Sequence, residues 1–109
     1  MDRLRLGWLP DTPESEQHDV MCDGDEITSY AYGNRRLQLR QVEDPDRQWA
    51  RGAGRGWRQQ TIEGRRLDWR VEDDQVVVFQ RIGNTVAWIR ADGFSTDDAL
   101  RAAASLANG

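Results

Sequence analysis

RRLDWRVEDDQVVVFQRIGNTVAWIRA, residues 65–91, is the stretch whose reading decides the fold. From Arg65 to Val71, Leu67, Trp69 and Val71 alternate with Arg66, Asp68 and Arg70, the period of a half-buried strand. Glu72-Asp73-Asp74 is a charged, solvated turn. Gln75 to Ile82 then carries Val76, Val77, Val78 and Phe79 without a break. A run apolar on both faces predicts a central strand. Gly83-Asn84 turns the chain, and Thr85 to Ala91 returns with Val86, Ala87, Trp88 and Ile89. Strands joined by turns this short are antiparallel neighbours.

Working backwards, Trp57 to Ile62 reads as a strand ended by Glu63-Gly64, and Glu43 to Gly56 is the longest irregular stretch. Before it, Ile27 to Tyr32 and Arg36 to Val42 form a hairpin with its loop near Gly33, Asn34 and Arg35. In its second arm Leu37, Leu39 and Gln41 alternate with Arg36, Gln38 and Arg40. Leu4 to Leu9 is a short strand or extended lead-in ended by Pro10. Asp11 to Gln17 reads as a loop, and His18 to Glu26 as an acidic segment with room for a brief strand at Val20 and Cys22.

Working forwards, Asp92-Gly93 breaks the sheet and Ser95 opens a helix. Asp98 three residues on resembles a capping box, and Asp97 and Asp98 suit the positive end of the helix dipole. Ala99, Leu100, Ala103, Leu106 and Ala107 share one face at helical spacing. Asn108-Gly109 suits the helix end.

These elements predict an α+β domain, a mostly antiparallel meander sheet of about six strands covered on one face by a C-terminal helix. Residues 1–109 form a single domain: an acidic extended lead-in over 1–26, the sheet over 27–91 and the helix over 95–107. Leu67, Trp69, Val76, Val78, Val86, Trp88, Leu100, Ala103 and Leu106 are expected in one core.

Charge is unevenly spread over a chain of net charge −4. Residues 1–26 carry −6, residues 35–70 carry +5 and residues 71–109 carry −3. Either the acidic and basic segments face each other in the fold, or the middle presents a basic patch to an acidic partner. The acidic total argues against general nucleic-acid binding. All 15 basic residues are Arg, whose planar fork suits carboxylate and phosphate. Five Trp argue for a packed core rather than disorder. No apolar stretch reaches the ~18 residues of a membrane helix.

Catalytic sets are missing from the sequence. The only His, His18, lies in the expected acidic loop, and the only Cys, Cys22, sits beside Asp23, Asp25 and Glu26, which disfavour a thiolate. Cys22 reads as a buried or inert thiol. One His and one Cys are too few for zinc, and the acidic turn lacks calcium-loop spacing. No cofactor and no enzymatic activity are expected. The distinctive chemistry is Arg47 to Arg58, where Gly52, Gly54 and Gly56 alternate with Arg51 and Arg55 near Trp49. A Gly-rich backbone with interspersed Arg can cradle an anion, and Trp and Arg dominate binding hot spots. Arg47, Trp49, Arg51, Arg55 and Arg58 are therefore the candidate binding residues, for a protein or a small anionic ligand.

A further set of motifs resembles an uncharacterised bacterial domain family found on the extracytoplasmic side of anti-sigma factors and related single-span membrane proteins. The motifs are Gly7-Trp8-Leu9-Pro10; Tyr32 and Gly33 followed by Leu37, Leu39 and Gln41; Gly56-Trp57 with Ile62, Gly64 and Trp69; and Ala103, Ser105 and Leu106. The resemblance implies a non-catalytic binding or sensory domain, extracytoplasmic and attached to a membrane regulatory protein. It supplies no catalytic residues. The residues themselves leave open a free cytoplasmic interaction factor, such as an inhibitor or immunity protein, and a small enzyme using Asp, Glu and Arg alone.

Overall fold

The computed structural model describes residues 4–44 and 56–108. Two antiparallel meanders build one seven-stranded sheet. The first is β2 (Ser15–Val20), β3 (Glu26–Tyr32) and β4 (Arg35–Glu43). The second is β5 (Arg58–Ile62), β6 (Arg65–Glu72), β7 (Gln75–Ile82) and β8 (Thr85–Asp92). The last strand of the second pairs with the last of the first, so the order is β2-β3-β4-β8-β7-β6-β5. Helix α1 (Thr96–Ala104) follows. The chain ends then meet: β1 (Leu4–Leu6) pairs antiparallel with β9 (Leu106–Asn108).

The turns explain the meander. Glu63 and Gly64 both have positive φ (53° and 78°), as do Asp73 and Asp74 (51° and 64°). Gly33 and Gly83 have positive φ (67° and 60°) while the following Asn residues do not. These are the signs of type I′ and type II′ hairpin turns, whose twist matches that of the strands they join.

The two sheet faces separate by register. Leu37, Leu39 and Gln41 of β4 stand opposite Ala91, Ile89 and Ala87 of β8 on the helix side, and all six are at most 1% exposed. Helix α1 buries Leu100 together with Ala99, Ala102 and Ala103, and the three small alanine side chains let it lie close against the sheet. Ser95 caps it by accepting the Asp98 N–H (3.2 Å). At its other end the Gln80 amide donates to the Ala103 carbonyl (2.7 Å), and the Ser105 hydroxyl donates to Ala102 O (2.6 Å). Two of the carbonyls that a helix end leaves open are thereby satisfied. The Gly7 and Trp8 N–H groups donate to the same hydroxyl (3.1 and 3.0 Å), which ties the N-terminal segment to the end of the helix.

Several expectations are corrected. The sheet has seven strands rather than six; the extra one is β2, in the stretch read partly as a loop. His18 is therefore on a strand. Its Nδ1 lies 3.0 Å from Thr28 Oγ1 and its Nε2 3.4 Å from Glu26. The helix stops at Ala104 rather than near residue 107, because Leu106 turns into β9 and Ala107 is exposed. Leu67, Val76, Val78, Leu100, Ala103 and Leu106 share the helix-side core, with Trp69 packed against it. Val86 and Trp88 do not belong there: they alternate with Ala87 and Ile89 and point to the opposite face. Cys22 is exposed rather than buried. The acidic and basic segments do face each other in part, through Asp25–Arg40 and Asp11–Arg35 ion pairs.

Candidate binding face

The face of the sheet turned away from α1 is built in cross-strand rows. Arg40, Trp88 and Phe79 form one row across β4, β8 and β7; Gln38, Arg90 and Val77 form the next. The middle outward residues of β7, Val77 and Phe79, are apolar because this strand lies inside the sheet and its neighbours' side chains cover them. Val77 and Phe79 are each only 5% exposed. Phe79 and Trp88 stack obliquely, ring centroids 5.5 Å apart.

Around Trp88 this face dips into a concavity of about 350 Å³. Val42, Val77 and Trp88 give it an apolar floor, and Gln38, Arg40 and Arg90 stand at its rim with Asp25. The guanidiniums are held in place. Arg40 lies over the Trp88 ring, 6.0 Å from its centroid, and donates from Nε (2.8 Å) and Nη2 to the buried carboxylate of Asp25. Arg90 donates from Nη1 to Gln75 Oε1 (2.9 Å) and lies 3.9 Å from Glu72. Glu72 is itself bound by Arg70 through Nε and Nη2 (3.1 and 2.7 Å). A smaller hollow beside it brings in Arg36 and Asp92. Three guanidiniums meet two carboxylates over the two hollows, a local excess of one positive charge in a chain of net charge −4.

One end of this face is closed by a buried ion pair. Arg81 Nη2 lies 2.6 Å from Asp44 Oδ2, and both Nη atoms donate to the Asp44 carbonyl (3.2 and 3.1 Å). Asp44 is 4% exposed, so this pair serves to hold the chain at the end of β4 rather than to receive a ligand.

Of the residues singled out from sequence, Arg47, Trp49, Arg51 and Arg55 lie outside the described residues. Arg58 begins β5, exposed, with its guanidinium 5.3 Å from the Trp69 ring centroid on the helix side. On the opposite face, Arg70 packs over Trp57 at 4.6 Å. Arg58 lines a second, more open hollow of about 510 Å³ with Trp69, Val71 and Thr96. Arg58 thus does not join Arg40, Trp88 and Arg90, which are on the other side of the sheet. The sequence alone marks neither Arg40 nor Arg90 as a binding residue, and it predicts Trp88 in the core. Part of the signal is present: Arg36, Gln38 and Arg40 alternate with Leu37, Leu39 and Gln41 and so share one face of β4. What was lacking was the pairing of β4 with β8, which brings Arg90 and Trp88 beside them.

Among the described residues no three His, Cys, Asp or Glu side chains form a metal-binding group, and no helix is long and apolar enough to cross a membrane. No protein-family model matches the chain, and neither does any curated protein or any solved structure.

Proposed function

We propose that the chain is a non-catalytic binding domain that receives its partner or ligand on the sheet face opposite α1. The observation that carries this reading is the Trp88 concavity, where Arg40 and Arg90 are fixed over an apolar floor at the surface. A sheet face serving only as a solvated exterior has no need of that combination. Aromatic and Arg side chains that enter an interface already ordered contribute most to affinity, because little rotamer freedom remains to be lost. The resemblance to extracytoplasmic domains of membrane-bound regulators supports a sensory or partner-binding role outside the cytoplasm.

A second reading, a free cytoplasmic interaction factor, is favoured by one observation: Cys22 is an exposed, unpaired thiol, which a reducing compartment tolerates better than an oxidising one. Fusing the complete reading frame to a reporter active only outside the cytoplasm separates the two locations.

The binding reading is tested by NMR. The isotope-labelled chain is screened with small neutral, cationic and anionic organic fragments. Shift changes clustering at Gln38, Arg40, Val77, Trp88 and Arg90 support it. Changes confined to Arg58, Trp69 and Val71 would move the site to the helix side and overturn it.

A further inference from the structure

We infer that the Trp88 concavity takes a small organic monocarboxylate with a planar or branched apolar body. The inference rests on the binding reading above and names the ligand chemistry.

The donors argue for an anion. Arg40 spends Nε and Nη2 on Asp25, and its Nη1 makes no hydrogen bond to a described residue. Arg90 spends Nη1 on Gln75 Oε1, and its Nε makes none. Each guanidinium is therefore anchored along one edge and keeps a donor in reserve. Charge-assisted hydrogen bonds from such pre-positioned donors are the strong ones. A cationic ligand would meet an excess of positive charge.

The same facts argue for a single negative charge. Asp25 already neutralises Arg40 in large part, Glu72 stands near Arg90, and the two hollows together carry an excess of only one positive charge. A dianion such as phosphate would remain half-compensated. The floor argues for an apolar body. Val42, Val77 and Trp88 offer dispersion and stacking but no acceptor, and a bare anion would leave that surface wet. The volume of about 350 Å³ falls near the lower end of the roughly 300–1,000 Å³ usual for ligand clefts, so the body is small.

Phenylacetate, phenylacetamide and inorganic phosphate are the probes, titrated into the labelled full chain. The readout is the Trp88 indole N–H, assigned with a Trp88→Phe variant, together with the β4 and β8 amides. Phenylacetate is expected to bind saturably at millimolar concentration. The isosteric neutral amide should bind about tenfold more weakly, the loss of one charge-assisted hydrogen bond. Phosphate should not compete. Arg90→Gln is expected to lower phenylacetate affinity about tenfold, and Arg90→Lys to restore part of it, with amides on the helix side unshifted in both variants. Amide and carboxylate binding equally well, phosphate competing on equal terms, or Arg90→Gln binding like the parent would each overturn the inference while leaving a binding face in place. Silence of this face to every probe would overturn the binding reading with it.

Discussion

Tyr32 illustrates how a single side chain couples burial to pH. Its ring packs edge-on against Phe94 at 5.1 Å, and its hydroxyl is buried without a hydrogen-bond partner. Burial raises the phenol pKa above its ordinary value of 10.0; nearby Asp11 adds to this and Arg35 opposes it. The folded chain therefore holds the Tyr32 proton more tightly than the unfolded chain does. The stabilisation is fully present below pH ~10 and is lost as pH rises through the higher folded-state value. Tyr32→Phe is expected to flatten this alkaline loss in chemical denaturation. At neutral pH it should cost nothing or add about 1 kcal/mol, since an unsatisfied buried hydroxyl is removed. Gln41 is the opposite case. It is fully buried, and its amide accepts from Leu4 N–H (2.8 Å) and donates to Leu4 O (3.0 Å), so one side chain takes the place of a neighbouring strand for β1. Gln41→Ala removes both bonds and opens a cavity. A loss of about 3 kcal/mol is expected from equilibrium denaturation, with early exchange of the Leu4 amide.

Among the elements, the hairpin turns carry the clearest lever. Asp73 and Asp74 occupy left-handed backbone conformations and place two like charges side by side. Replacing the pair with Asn-Gly satisfies the same turn with residues that favour it. A gain of about 1 kcal/mol is expected from the shift in denaturation midpoint at unchanged slope. The strand β2 marks the other extreme. None of its six residues is buried, and its sequence SEQHDV shows no alternation because neither face meets the core. Its pattern predicts a loop over part of its length for that reason: periodicity reports burial, and β2 is held by backbone pairing to β3. The helical pattern runs past the true helix end for a related reason. Leu106 fits the helical stripe, but its burial is achieved from β9 instead.

At the scale of the whole molecule, stability should fall off from the middle of the sheet to the β2 edge. β4, β7 and β8 are flanked on both sides, and each carries several buried residues, whereas none of β2 is buried. Native-state hydrogen exchange is expected to protect their amides most and those of β2 least. Uniform protection across all seven strands, or late exchange from β2, would contradict this gradient. The pairing of β1 with β9 makes a further demand: residues about a hundred positions apart in sequence must find each other, as Leu4 does Asn108. Leu106→Ala should therefore cost about 3 kcal/mol and speed exchange at Leu4 and Leu6 as well as in β9.

The sequence by itself determined the local grammar: strand runs from Ile27 to Val42 and from Arg65 to Ala91, turns at Gly33, Glu63, Asp73 and Gly83, and a capped helix opening at Ser95. Each depends on interactions between residues close along the chain, and each leaves a pattern there. Only the tertiary structure decided that β8 closes against β4, that the chain ends pair, and that Val86 and Trp88 leave the helix-side core for the opposite face. β5, the strand that follows β4 in the chain, lies at the far edge of the sheet, and nothing local in either strand states which edge the last strand will meet. Because Trp88 and Arg90 come from one side of that junction and Arg40 from the other, the candidate site exists only once the junction has formed.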